Sequence, residues 1–206
     1  LANVPTNGYP SHVSTVNQSG VGSEAIVSQT GDGNFSNVLQ AADTADALVT
    51  QNGLNNSSTV DQSASADGAL ADVKQTGNGN ASTVTQSADA DAFVVQTGND
   101  NVSTITQSSV AVADVKQNNA QNDSTINQSG AGANAKVIQT AVESGNGTRI
   151  RNAQGFDDPA GDTIRSNFSN ISQTGASTTA EVTQTGDLNR SGVVQSGAGA
   201  SAKLTQ

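Results

Sequence analysis

Short stretches of the chain alternate strictly between two classes of residue. One stretch reads Asn-x-Ser-x-Val/Ile-x-Gln, as at 80–86 and 101–107, and the other reads Ala-x-Ala-x-Val-x-Gln, as at 69–75 and 111–117. The named positions hold small, apolar or amide side chains, while the x positions vary freely. A period of two places alternate side chains on opposite faces of an extended chain. The pattern therefore predicts β-strands whose constant residues face inward and whose variable residues face solvent.

Both stretches end in glutamine, and these glutamines recur at a nearly fixed distance. Most steps are 11 residues, a few are 10 or 13, and one gap of 34 residues separates Gln139 from Gln173. The recurring residues are Gln18, Gln29, Gln40, Gln51, Gln62, Gln75, Gln86, Gln96, Gln107, Gln117, Gln128, Gln139, Gln173, Gln184, Gln195 and Gln206. Self-similarity at a fixed period is typical of stacked supersecondary units. Two strands and two short arcs would make one coil of about 22 residues, twice the commonest step.

The inward amides are expected to form ladders along the stack. An amide side chain both donates and accepts hydrogen bonds, so identical residues one coil apart can join into a continuous row. Besides the glutamines, this inward set contains the asparagines that open the first type of stretch: Asn34, Asn56, Asn80, Asn101, Asn122, Asn167 and Asn189. Glycine reaches positive φ without steric cost, so glycines that follow the glutamines are expected at the turns: Gly31, Gly53, Gly77, Gly98 and Gly186.

A single coil of this kind is too small to be stable by itself. Ordering its backbone costs roughly 1–2 kcal/mol per residue, whereas its few inward Ala and Val side chains recover only a few kcal/mol on burial. Coils stacked about 4.8 Å apart can pair their backbone groups in parallel ladders. The predicted fold is therefore all-β: a two-sheet parallel β-solenoid of strand–arc–strand–arc coils, stacked into an amyloid fibre.

The chain divides into an N-terminal arm and one repeat array. Residues 1–11 precede the first repeat, and residues 12–206 are expected to form a single solenoid with an irregular bulge at about 140–166. That stretch contains Pro159, which cannot donate to a β-ladder. The array starts with an Asn-type stretch and finishes with an Ala-type stretch. We therefore expect each end to be half a coil that a second copy would complete. The alternative is that the terminal halves are frayed and that subunits abut through complete coils.

Composition and charge disfavour several classes of protein. The chain has no cysteine, so it is not a disulfide scaffold, and it has no run of 18 apolar residues that would span a membrane. Its 8 Lys+Arg against 18 Asp+Glu argue against a nucleic-acid partner, since phosphates require a basic surface. The first ten residues lack a basic region followed by an apolar segment. Any signal peptide is therefore expected to be absent from this mature chain.

Residues placed for catalysis or metal binding are not evident in the sequence. The single histidine, His12, stands where the other Asn-type stretches have their opening asparagine. We expect no enzymatic activity and no cofactor. Four aspartates recur at variable positions of the Ala-type stretches, and outward charges of this kind slow premature pairing of strands. We interpret Asp46, Asp72, Asp91 and Asp114 as such gatekeepers.

The phrase Gln-x-Gly-x-x-Asn-x-Ser-x-Val-x-Gln, clearest at 75–86, resembles the curlin repeat of bacterial curli subunits. Alanine stands where that family usually has serine at Ala45, Ala69 and the equivalent positions. The resemblance implies the major subunit of a secreted, extracellular functional amyloid at the cell surface, which assembles head-to-tail for biofilm matrix and adhesion. It further implies three partners: a nucleator subunit, an outer-membrane secretion pore and a periplasmic chaperone. Such a subunit is expected to require no nucleic-acid partner and not to insert into a membrane.

A second reading is a soluble, monomeric β-solenoid that binds a ligand such as ice. Thr83 with Thr85 and Thr104 with Thr106 make two Thr-x-Thr pairs on the outward face. The flanking strands have Asp61 and Asn127 in place of the second threonine. A flat ice-binding face requires a longer regular array of threonines, so the fibre subunit is the leading hypothesis.

Overall fold

The computed structural model describes residues 12–141 and 167–206. The strands in these ranges are β1 (Val13–Gln18), β2 (Glu24–Asp32), β3 (Phe35–Gln40), β4 (Asp46–Leu54), β5 (Ser57–Gln62), β6 (Leu70–Thr76), β7 (Ala81–Gln86), β8 (Asp91–Thr97), β9 (Val102–Gln107), β10 (Ala111–Asn118), β11 (Asp123–Gln128), β12 (Ala133–Thr140), β13 (Phe168–Gln173), β14 (Thr179–Thr185), β15 (Arg190–Gln195) and β16 (Ser201–Thr205). Within the described ranges there is no helix long and apolar enough to cross a bilayer.

The strands form two parallel sheets of eight strands each. Sheet A contains the odd-numbered strands in the order β1-β3-β5-β7-β9-β11-β13-β15, and sheet B contains the even-numbered strands in the order β2 to β16. Consecutive strands thus lie in opposite sheets and face each other across the interior, and each odd strand with the even strand that follows it makes one coil. Coil 1 is β1 with β2 and coil 8 is β15 with β16. The predicted two-sheet parallel β-solenoid is confirmed.

The register aligns equivalent residues of neighbouring coils. Gln40 is in register with Gln62 in sheet A, and Gln51 is in register with Gln75 in sheet B. Every inward residue therefore lies above and below a residue of the same or similar type. Because the side-chain period of a strand is two, a slip of one residue would turn the whole inward set to solvent. The hydrophobic pattern thus selects the in-register arrangement.

Both ladders continue without a break across the irregular part of the sequence. β11 pairs directly with β13, and β12 pairs directly with β14, so coil 6 stacks on coil 7 although 25 residues of chain lie between Ala141 and Asn167. The predicted bulge at about 140–166 falls almost wholly outside the described residues, as does the predicted arm at 1–11.

The expectation that each end is half a coil is wrong. β1 and β2 lie at the edges of sheets A and B at one end of the stack, and β15 and β16 lie at the two edges of the other end. An Asn-type strand and the Ala-type strand after it belong to the same coil. The described strands therefore present a two-stranded coil at both ends of the stack.

The core is a narrow double row of small apolar side chains between the sheets. Val38 and Val60 of sheet A lie opposite alanines and valines of sheet B such as Ala47 and Val49, and all of these residues are buried. A second, smaller apolar cluster of Ala42, Ala45, Ala66 and Ala69 fills the arcs of coils 2 and 3. Since alanine and valine bury little area, the packing alone stabilises each coil only modestly.

The turn glycines lie in one column of the stack, and four of them, Gly31, Gly53, Gly77 and Gly98, have the next coil too close for a side chain. Gly31, Gly53, Gly77, Gly98 and Gly186 have φ angles between +97° and +132°. A Cβ on Gly77 would collide with the carbonyl oxygen of Gly98, and a Cβ on Gly53 would collide with that of Gly77. In coils 1 to 4 the arcs therefore approach so closely that a Cβ at this level would collide with the next coil. Asn119 and Ala141 occupy the same level in coils 5 and 6.

A second arc position adopts positive φ without being reserved for glycine. It precedes each turn asparagine and holds Gly33, Asn55, Gly79, Asp100, Gln121 and Leu188, with φ between +55° and +67°. Asn and Asp reach this left-handed region at a small cost, whereas a bulky side chain such as Leu188 is strained there. The variety of residue types explains why the sequence did not identify this position.

The glycine column makes a prediction about Gly77. Gly77→Ala should lower the free energy of unfolding by about 1–3 kcal/mol or more, because it combines a strained φ with a collision against the next coil. Gly192→Ala is the matched control, since nothing lies within 4 Å of a Cβ there. Urea denaturation of freshly prepared monomer compares the two variants. Equal stabilities would show that close stacking of the arcs is not required.

Candidate functional site: the stacking surfaces of the solenoid

The predicted glutamines form two continuous ladders inside the solenoid, one along each sheet. In sheet A the ladder runs through Gln18, Gln40, Gln62, Gln86, Gln107, Gln128, Gln173 and Gln195, and in sheet B through Gln29, Gln51, Gln75, Gln96, Gln117, Gln139, Gln184 and Gln206. Each Nε2 donates to the Oε1 of the glutamine in the next coil, over 2.8 to 3.1 Å. From Gln40 to Gln195 these side chains are buried.

Each glutamine also ties the two sheets of the solenoid together. Gln51 Nε2 of sheet B donates to the backbone carbonyl of Phe35 in sheet A at 2.9 Å, and Gln62 Nε2 of sheet A donates to the carbonyl of Asp46 in sheet B at 3.0 Å. The same amide therefore bonds along the stack and across it. Hydrogen bonds of uncharged amides therefore stabilise the interior together with the apolar core.

The asparagines form a third ladder, at the turn between sheet B and sheet A. It contains Asn34, Asn56, Asn80, Asn101, Asn122, Asn167 and Asn189. Here the Nδ2 of each asparagine donates to the Oδ1 of the preceding coil, which is opposite to the direction of the glutamine ladders. In most coils the same Oδ1 also accepts a hydrogen bond from the backbone N–H of the asparagine in the next coil. Asn34 Oδ1, for example, accepts from the Asn56 N–H at 3.0 Å.

His12 occupies the asparagine position of coil 1. Its Nδ1 accepts the backbone N–H of Asn34 at 3.4 Å, as an asparagine Oδ1 does in the later coils. The structure places the single histidine in the ladder as a hydrogen-bond acceptor at the end of the stack.

A column of serines lies inward without joining a ladder. The hydroxyls of Ser36, Ser58, Ser82, Ser103, Ser124, Ser169 and Ser191 are buried, and none has a hydrogen-bond partner within the described ranges. Equivalent atoms of adjacent strands are about 4.8 Å apart, which is too far for a direct hydroxyl–hydroxyl bond. These hydroxyls therefore form no ladder of the kind that the inward amides form.

The four aspartates all point outward from sheet B but have different neighbours. Asp46 is in register with Glu24, whereas Asp72 lies between Leu48 and Phe93. Asp91 lies between two apolar residues, Leu70 and Val112. Asp114 is flanked by Phe93 and Lys136. Among the four, Asp46 alone is thus in register with a residue of like charge.

The sequence did not reveal that outward charges alternate in sign along sheet B. Asp114, Lys136, Glu181 and Lys203 follow one another in register from coil 5 to coil 8. Lys203 Nζ lies 3.1 Å from Glu181 Oε2. The four charged residues stand at the same position of their repeats, but their alternation in sign becomes visible only when coil 6 is aligned directly with coil 7.

The glutamine ladder predicts that a more hydrophobic residue will destabilise the solenoid. Gln96→Leu removes the partner of Gln75 Nε2, of Gln117 Oε1 and of the Ala81 carbonyl. A buried polar group without a partner costs about 1–3 kcal/mol, so the free energy of unfolding should fall although leucine is more apolar. Thr97→Leu, at the exposed neighbouring position, is the control. A Gln96→Leu protein as stable as wild type would mean that the ladder contributes nothing.

The register makes opposite predictions for two of the aspartates. Asp46→Asn should raise the urea midpoint at low salt, because it removes repulsion from Glu24. Asp114→Asn should lower it, because it removes attraction to Lys136. Both differences should shrink above about 0.1 M salt, where exposed charges are screened over about 10 Å. Shifts of the same sign in the two variants would contradict the register.

Comparison with known proteins supports the reading of the repeat. The family model described as Curlin associated repeat matches residues 175–206, which contain β14, β15 and β16. No curated protein and no solved structure matches the chain. The expected resemblance to the curlin-repeat family is therefore confirmed, and the chain carries a curlin-associated repeat at residues 175–206.

Proposed function

We propose that this protein is the structural subunit of an extracellular, curli-like amyloid fibre that grows by head-to-tail stacking of solenoids. The curlin repeat and the solenoid fold both fit such a subunit. The observation that carries the proposal is that, among the described strands, both ends of the stack have open edges. β1 and β2 at one end, and β15 and β16 at the other, each lack a neighbour on one side among the described strands. Open edges of this kind are templates for another chain.

The amide ladders give the two ends complementary hydrogen-bonding groups. At one end, within residues 12–141 and 167–206, the Oε1 atoms of Gln18 and Gln29 accept no hydrogen bond, while their Nε2 atoms donate into coil 2. At the other end Gln195 and Gln206 accept from coil 7 and donate only to backbone carbonyls of the facing strand. Coil 8 therefore offers amide donors and coil 1 offers amide acceptors. A second copy placed on the end would continue both ladders with unchanged polarity.

The charges of the terminal coils also favour head-to-tail contact. Coil 1 carries the acids Glu24 and Asp32, and coil 8 carries the bases Arg190 and Lys203. Opposite charges attract when coil 8 of one copy meets coil 1 of the next, whereas contact between like ends brings like charges together. A contact between two different surfaces does not close on itself and so propagates as a filament.

The remaining parts of the proposal rest on the resemblance to curli subunits. The fibre would lie outside the cell and contribute to biofilm matrix and adhesion, with a structural and not an enzymatic role. Its assembly would involve a nucleator subunit, an outer-membrane secretion pore and a periplasmic chaperone. Asp46, Asp72, Asp91 and Asp114 would act as gatekeepers, since outward charge slows pairing before the ends are correctly placed.

One observation favours the second candidate, an ice-binding monomer. Thr59, Thr83, Thr104 and Thr125 lie in register in four successive coils of sheet A. The parallel column, however, holds threonine only at Thr85 and Thr106. The regular double row therefore spans two coils, which is short for an ice-binding array, and the fibre remains the preferred function.

A proline at the edge tests the head-to-tail joint. Ala200 and Gln206 direct backbone groups toward coil 7, so by the alternation of a parallel ladder Lys203 directs its N–H away from it. Lys203→Pro removes this outward donor but leaves the internal ladder intact, and proline is tolerated at an edge. An unmade backbone bond costs about 1–3 kcal/mol, so elongation should slow about tenfold or more. Thioflavin fluorescence and electron microscopy measure the rate.

Lys203→Ala is the matched control, since it removes the same charge but keeps the N–H. It should elongate much faster than the proline variant. Equal rates for the two variants would rule out stacking on coil 8. A wild-type protein that stays monomeric and shows thermal hysteresis would overturn the fibre proposal in favour of ice binding.

A further inference from the structure

The two outer faces of the solenoid differ sharply in charge. Face A consists of the first, third and fifth residues of each strand in sheet A, and its charged members are Asp61, Arg190 and Asp123, the last of which is buried. Face B consists of the outward residues of sheet B, in register with Asp46, Leu48 and Thr50, and its charged members are Glu24, Asp46, Asp72, Lys74, Asp91, Asp114, Lys116, Lys136, Glu181 and Lys203. Covering face B would remove many more charges from water than covering face A.

The centre of face A is also built from small side chains. Thr83 and Thr104 lie in its middle column, flanked by Ala81 and Val102 on one side and by Thr85 and Thr106 on the other. Threonine and alanine present methyl groups close to the backbone, so another flat surface can approach closely. Face B has longer side chains at the equivalent level, including Phe93 and Lys116.

We propose that face A is a lateral contact surface, on which face A of a second copy of this chain packs so that two filaments associate side by side. The inference rests on the proposed fibre and adds the surface by which fibres pair. With a net charge of −10, two copies repel each other, and the repulsion is weakest where the facing surfaces carry the fewest charges.

The area of face A is sufficient for a stable contact. Strands of six residues are about 20 Å long, and eight strands spaced about 4.8 Å apart extend about 38 Å, which gives roughly 750 Å² per copy. A stable protein interface buries about 800 Å² per partner. In a filament this area repeats with every subunit added.

The repeat of the solenoid makes the contact self-consistent. Face A has the same spacing of about 4.8 Å between successive coils in both copies, so side chains that interdigitate at one coil also fit at the next. Identical columns that mate in this way form the dry, closely packed interfaces of paired β-sheets. The few larger residues of face A, such as Phe35 and Phe168, lie toward the ends of the stack and not at its centre.

A pair of threonine-to-lysine variants tests the proposal. Thr104→Lys adds one charge at the centre of face A, whereas Thr183→Lys adds the same charge to face B, and both threonines are partly exposed on strands. Mass per unit length is measured by electron microscopy on filaments grown from pure protein. One solenoid corresponds to 20.5 kDa per about 38 Å. Wild type and Thr183→Lys should show twice this mass per length, and Thr104→Lys should show the single value.

Elongation rate separates this inference from the proposed function. Thr104→Lys filaments should grow as fast as wild type, because the ends are unchanged. Thr59→Lys, in the same column of coil 3, is a second variant with the same expected result and guards against a local folding defect at Thr104. Wild-type filaments of single mass per length, or loss of pairing in Thr183→Lys and not in Thr104→Lys, would overturn the lateral role of face A. Failure of wild type to form filaments would overturn the fibre itself.

Discussion

The structure depends on stacking each coil on a near copy of itself. Backbone groups that point along the axis are paired only if the next coil is present, and the same holds for the inward amides such as Gln75 and Gln96. The apolar core is too small to compensate for unpaired polar groups, because it consists of alanine, valine and a few isoleucines. In-register stacking therefore both folds the chain and leaves two surfaces, at the ends, where the same interactions can continue.

This requirement explains why the side chains are so uniform inside the solenoid and so varied outside it. An inward residue must fit against its equivalent above and below, so a change in one coil affects both neighbours. The glycine column is the strictest case, because carbonyl oxygens of the next coil fill the space of a side chain. Outward residues meet solvent, and there the chain varies charge and size from coil to coil. Differences in function between the surfaces must therefore arise on the outside and at the ends.

The polarity of the ladders links the fold to assembly. The glutamine amides all donate in one direction along the axis, and the asparagine amides donate in the other. Among the described residues, the glutamines of coil 1 therefore leave amide acceptors unpaired and those of coil 8 leave amide donors unpaired. A contact between like ends would place donor against donor or acceptor against acceptor. In the proposed fibre, this arrangement and the acidic residues of coil 1 and basic residues of coil 8 would favour one relative orientation of neighbouring subunits.

The sequence by itself determined the fold class, the inward and outward sets and the level of the turn glycines. Each follows from local periodicity, since a strand has a period of two and the coil repeats the same strands. Only the tertiary structure decided that coil 6 and coil 7 are neighbours although residues 142–166 separate them in sequence. The pairing of β11 with β13 depends on contacts between residues distant along the chain. It also decided that β1 shares a coil with β2, and β15 with β16, and that the glutamine and asparagine ladders run in opposite directions. It placed Asp46 in register with Glu24 and Asp114 in register with Lys136. These features depend on the partner one coil away, and a local pattern carries no information about that partner's orientation or charge.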